Sequence, residues 1–181
     1  LRHGAAEVLV LPQHVSAPQR VLIHWADDVS RRSPLAVAAS LLRHVPAEAV
    51  YVGILPEGSG DAQRPLGVRT LLDARSEAQA VHGLEMRTEL RFGAAADELQ
   101  RQVNESQDPM LILGVSDPAQ LRGTFGPLFT SGATYPMMVV YRPSKDTEPG
   151  APSRVNGWVA EVARLQGIPN SGEFGYASKH A

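Results

Sequence analysis

Residues 110–143 decide the fold: Met110-Leu111-Ile112-Leu113-Gly114-Val115-Ser116-Asp117-Pro118-Ala119-Gln120-Leu121-Arg122-Gly123-Thr124-Phe125-Gly126-Pro127-Leu128-Phe129-Thr130-Ser131-Gly132-Ala133-Thr134-Tyr135-Pro136-Met137-Met138-Val139-Val140-Tyr141-Arg142-Pro143. An apolar run ends at Gly114, and a polar loop leads to Gly123-Thr124. A brief helical segment follows, and a second apolar run over 137–141 closes the unit. The order is strand, loop, helix, strand. A glycine at the carboxyl end of a buried strand lets a ligand approach the backbone. A Gly-Thr pair opening a helix offers unpaired N–H groups, a hydroxyl and the positive end of the helix dipole, which together suit a phosphate.

Upstream of this unit the chain alternates strand and helix patterns. Arg20-Val-Leu-Ile-His-Trp25 reads as the first central strand, with Asp27 and Asp28 just past its end. Ser33-Pro34 is a helix start, a hydroxyl cap followed by proline, and the helix to about His44 is apolar through Leu35, Val37, Ala38, Leu41 and Leu42. Residues 49–55 form a nearly continuous apolar strand of the kind found in parallel sheets covered on both faces. After a Gly/Pro-rich loop over 56–65, apolar residues Val68, Leu71, Leu72, Ala78 and Val81 recur at helical spacing and stop at His82-Gly83. Residues 84–92 alternate, placing Met86, Thr88, Leu90 and Phe92 opposite Glu85, Arg87, Glu89 and Arg91, which marks an edge strand. A helix over 94–104 turns Leu99 and Val103 inward.

The pattern β α β α β α β α β implies an α/β fold with a doubly wound, mostly parallel five-stranded sheet and right-handed crossovers. With strand order 3-2-1-4-5, the ligand position of such sheets lies between the first and fourth strands, where Asp27 would face the Gly114 loop. The expected division is an N-terminal extension over 1–19, the α/β domain over 20–143, and a linker with a last helix and tail over 144–181. Residues 8–11 (Val-Leu-Val-Leu) followed by Pro12 resemble 137–140 followed by Pro143, a weak internal repeat. With no initiator methionine, the extension reads equally as the final strand of a preceding similar module or as an ordinary edge strand or arm. In the last helix Val155, Trp158, Val159, Val162 and Leu165 form an apolar stripe that must be covered, by the domain itself or by a partner.

Composition excludes several classes. At 181 residues and 19.4 kDa the chain can bury a real core, and its net charge of −2 with scattered Lys and Arg argues against nucleic acid. With no cysteine there is no disulfide, thiolate catalysis or Cys-based zinc site. No run reaches the ~20 apolar residues of a membrane helix, and a soluble, cytoplasmic chain is expected. The six histidines show no ligand spacing, and His24 on its apolar strand reads as a satisfied strand-end residue. Gly114-Val115-Ser116-Asp117-Pro118 lacks the fifth glycine of a nucleophile elbow, so no enzyme is indicated.

The aspartate after the first strand, Phe92-Gly93, Leu111-Ile112-Leu113-Gly114, Gly123-Thr124 and the final Pro136-Met-Met-Val-Val140 strand resemble, in order and spacing, the universal stress protein (UspA-like) domain. The resemblance covers about residues 19–143 and implies a flavodoxin-like three-layer sandwich. Members that bind ATP carry G-x2-G-x9-G-[ST]. Carried over, the resemblance places Gly114 as the first glycine, Gly123 and Thr124 as the last pair, Asp27 as the aspartate and Ile54 or Leu55 at the adenine. The second glycine position holds Asp117, followed by Pro118, and the loop is four residues shorter than the motif. A carboxylate there repels a triphosphate, and proline removes a donor.

Two functional classes follow. One is a UspA-like regulatory or assembly domain with weak or lost nucleotide binding, such as the cytoplasmic part of a membrane transporter. The other is an ATP- or AMP-binding stress-response protein. The resemblance also implies a homodimer through Met137, Met138, Val139, Val140 and Tyr141, read as an exposed apolar edge strand that a charge at Val139 would break.

Overall fold

The computed structural model describes residues 6–12, 14–25, 32–130 and 134–142. The elements are β1 (Ala6–Val10), β2 (Arg20–Trp25), α1 (Arg32–Leu42), β3 (Glu48–Leu55), α2 (Gln63–His82), β4 (Arg87–Phe92), α3 (Ala95–Glu105), β5 (Pro109–Val115), α4 (Pro118–Gly123), α5 (Gly126–Thr130) and β6 (Met137–Tyr141). The strands form one sheet in the order β1-β6-β5-β2-β3-β4. All neighbours are parallel except β1, which lies antiparallel on β6. Helices cover both faces.

Each strand's alternation sends one set of side chains to each face. Leu22, Val50, Val52, Leu111, Leu113, Val115, Met137, Val139 and Tyr141 join α3, α4 and α5 in one core, where Phe125, Leu128 and Phe129 are buried. Val21, Ile23, Trp25, Ala49, Tyr51, Ile112 and Val140 meet α1 and α2 in the other. Burying each large apolar side chain contributes about 1.5–3 kcal/mol, which explains why near-continuous apolar strands occupy the middle of the sheet.

The expected five strands become six. Val8 and Val10 pack against the core on the α3 side, and the register runs from Ala6↔Tyr141 to Val10↔Met137. This extra pairing corrects the reading of residues 137–141 as an edge: β6 is an interior strand, with β5 on one side and β1 on the other. The margins are instead β1 and β4, the latter with half-exposed residues along its length.

The α2 helix starts earlier than its apolar spacing suggests and buries Gly67, Leu71, Ala74 and Ala78, whereas Val68, Leu72 and Val81 face solvent. Small residues let it approach the sheet closely: a side chain at Gly53 would meet Leu71 Cδ2 at 2.8 Å. Gly83 ends the helix in the left-handed conformation (φ 63°), its N–H donating to Gln79 O and that of Leu84 to Ala78 O. The single brief helix expected after Gly123-Thr124 is replaced by two short ones, α4 and α5, on either side of that pair. Asp27 and the stripe Val155, Trp158, Val159, Val162 and Leu165 lie outside the described residues.

Candidate functional site

The carboxyl ends of β2, β3 and β5 meet where the winding of the sheet reverses, the usual position of a ligand in an open α/β sheet. The β2–β5 ladder continues to Trp25↔Gly114, but the β2–β3 ladder stops at Ile23↔Tyr51 while β3 stays paired with β4 through Leu55↔Phe92. The end of β2 therefore parts from β3. Two side chains fill the gap. His24 Nδ1 donates to Val52 O at 2.7 Å, and because a carbonyl only accepts, Nδ1 carries the hydrogen. Trp25 stacks on Tyr51 with ring centroids 3.8 Å apart and planes 8° from parallel. The His24 ring also meets Phe125 edge to face at 5.7 Å. Burial lowers the His24 pKa from 6.5 to about 4, so the imidazole is neutral near pH 7.

Gly114 has a packing reason to be glycine. A Cβ built there would collide with Pro34 Cγ and lie 3.2 Å from Trp25 Cβ, so the first turn of α1 occupies the space a ligand would use to approach the backbone. The amide groups downstream are likewise engaged. Asp117 caps α4, its Oδ1 accepting from Ala119 N–H at 2.9 Å. Gln120 reaches back, its Oε1 accepting from the N–H groups of Ser116 (3.2 Å) and Asp117 (3.3 Å) and completing a capping box. The donors that would cradle a phosphate bond instead to the chain's own carboxylate and carboxamide.

The Gly123-Thr124 pair closes a helix rather than opening one. Gly123 is the last residue of α4, and Thr124 N–H donates to Gln120 O at 2.9 Å, joined by Phe125 N–H at 3.0 Å. The pair thus sits at the negative end of the α4 dipole, the reverse of the arrangement that attracts an anion. The shortened loop explains this, because Pro118 starts a helix directly after Asp117 and one and a half turns use up the segment before Gly123. A triphosphate does not fit these residues as they stand. Gly123 and Thr124 are exposed, and the space beside Gly123 is open.

The remaining expected site residue, Ile54, is half-buried and belongs to the core on the α3 side, whereas the missing side chain of Gly114 points towards α1. The two do not converge on one cavity. The sequence reading missed Pro34 as the neighbour of Gly114, Trp25 as the filler of the strand gap and Gln120 as the second half of a cap. The Asp-Pro-x-Gln order at 117–120 is a helix-start signal that could have revealed the last of these. Among the described residues no group of three or more His, Asp or Glu is placed to hold a metal ion, and no helix is long and apolar enough to cross a membrane. No protein-family model matches this sequence, and no curated protein matches it.

Proposed function

We propose that this chain is a UspA-like regulatory or assembly domain that has exchanged nucleotide binding for a self-capped loop and acts through its surfaces. It would sit on the cytoplasmic side of a membrane as part of a larger protein, a fused transporter included, or beside a second such module. One observation carries the reading: the N–H groups of Ser116, Asp117 and Ala119, where a phosphate would be held, donate to Gln120 and Asp117, and Pro34 fills the approach to Gly114. A site built to bind and release nucleotide leaves such donors to the ligand. Here their satisfaction stabilises α4 instead.

Calorimetric titration of ATP, ADP and AMP with magnesium, alongside a Gly123→Asp variant, tests this reading. No saturable heat at millimolar nucleotide is expected from either protein. Saturable binding that Gly123→Asp abolishes would overturn the proposal in favour of the second reading, an ATP- or AMP-binding stress-response protein. The open space beside exposed Gly123 favours that alternative.

A further inference from the structure

Among the described residues β1 makes the single antiparallel pairing of the sheet, along β6, while every other pair of strands is parallel. Its sequence also repeats the strand it joins. Aligned on their prolines, Val8-Leu9-Val10-Leu11-Pro12 matches Val139-Val140-Tyr141-Arg142-Pro143, so Val8 is the counterpart of Val139 and Val10 of Tyr141. The ladder sets Val8 directly opposite Val139. The other pairs close on themselves in the same way. When each residue is exchanged for its counterpart, Ala6↔Tyr141 becomes Val10↔Met137, and Glu7↔Val140 becomes Leu9↔Met138.

Closure of this kind belongs to an isologous contact, in which one patch lies on both sides of a two-fold axis. An axis normal to a sheet reverses strand direction, so two like strands related by it run antiparallel. The register is the informative part. Side chains keep their faces only if a strand slips by two residues, and that slip would carry Val8 away from Val139. The packing agrees, because Val8 and Val10 extend the core that buries Val139 and Tyr141. Exposure does not: Leu9 is 48% exposed, whereas its counterpart Val140 is 0% exposed. β1 thus has the sequence of an interior strand and the exposure of an outer one.

We propose that the outer edge of β6 is a two-fold seam built for the last strand of a second module of this fold, and that β1 holds that strand's place within the chain. The partner it fits is an antiparallel apolar strand with valine at its centre, and the probe for it is a second copy of this chain. The proposal deepens the reading of a domain that acts beside a second such module and rests on that part alone, so nucleotide affinity does not enter its test.

The first experiment frees the seam in the full chain. Val8→Asp with Val10→Asp sets carboxylates against the core and should lift β1 from β6. The freed β6 should then pair with β6 of a second copy about Val139, so that sedimentation velocity shows a dimer absent from the parent. The chain has no cysteine of its own. Val139→Cys added to this variant should therefore form an intermolecular disulfide roughly ten times faster than Val140→Cys, because in the two-fold register only position 139 faces itself. A variant that stays monomeric, or that links equally at both positions, overturns the proposal. The second experiment requires no release of β1. Ala6→Met, Glu7→Met, Leu9→Val and Val10→Tyr give β1 the residues of β6 and make the ladder identical on both sides of the axis. The control, Ala6→Tyr, Glu7→Val, Leu9→Met and Val10→Met, carries the same residues in reverse order. The urea midpoint of the graft should match or exceed that of the wild type, and that of the control should fall. A graft no more stable than its control overturns the proposal, even where the first variant fails to fold.

Discussion

At one margin of the sheet β4 presents charge, and at the other β1 presents leucine. Arg87 Nη1 lies 2.7 Å from Glu48 Oε1, and Arg20 Nη2 lies 2.8 Å from Glu48 Oε2, so one carboxylate ties β2, β3 and β4 together. The hydrogen bond from Arg87 holds the Glu48 carboxyl below the usual carboxylate range. Arg91 pairs with Glu89 at 2.9 Å and approaches Glu105 at 3.8 Å. Half-exposed pairs of this kind add modest stability, and a charged edge resists pairing with another strand. The β1 margin is more apolar: Leu9 and Leu11 face solvent beside β6, and Glu7 is the one charged residue of the strand. The difference teaches where association belongs. The β4 side is finished as a charged outer boundary, and the β1 side leaves apolar side chains at its margin.

The largest effect should come from the strand just inside the apolar margin. Val139→Asp puts a carboxylate at a position with 0% exposure in the larger core. Because β1 pairs with β6 within the chain, this substitution should not merely part a dimer. A loss of about 4 kcal/mol or more is expected, read as collapse of the urea transition followed by circular dichroism. A variant that folds normally but has lost a dimer would restore the edge-strand reading of β6.

The second effect separates the margins from the centre. His24 lies between them, and its pKa is lowered from 6.5 to about 4 by burial. Above pH 6.5 the imidazole is neutral in both folded and unfolded chains, and the folded state is fully stable with respect to this group. Between pH 6.5 and about 4 only the unfolded chain takes up the proton, so stability falls as the pH is lowered, by about 3 kcal/mol over the window. Urea midpoints measured from pH 7 to 4 should decline in the wild type and flatten in His24→Leu. An equal decline in both would assign the pH dependence to the charged margin instead.

Much of this architecture was legible in the chain because period and composition agree with burial. Apolar runs at 20–25, 49–55 and 110–115 are interior strands, and the alternation of 87–92 is an edge. β1 was legible as an apolar run read equally as a repeat or an edge strand, but its partner was not, because five residues carry too little pattern to fix their pairing. The placement of β6 followed from that omission, since an apolar strand looks alike at an uncovered edge and beside an antiparallel neighbour. The candidate site was harder to read. Gly114 and Gly123 invite a phosphate reading from residue type alone, but Pro34 reaches Gly114 from a distant segment, and Asp117, Pro118 and Gln120 together move a helix start five residues ahead of Gly123. Side-chain direction and helix polarity decided the matter, and neither is carried by a glycine's position.

Two smaller substitutions sharpen the contrast between the margins. Val8→Ala trims a half-buried side chain that packs β1 onto the core, and should lower stability by roughly 1 kcal/mol, seen as a modest fall in the urea midpoint. The smallest change in stability is expected from Arg87→Val combined with Glu89→Val, which makes the outer strand resemble β1. Arg87 and Glu89 are not core residues, and the ion pairs removed are half-exposed. The midpoint should therefore barely move, while sedimentation velocity shows new concentration-dependent association, because β-branched residues on an unguarded edge pair with other chains. If the double variant stays as monodisperse as the wild type, charge does not guard the β4 margin, and the two edges differ only in what covers them.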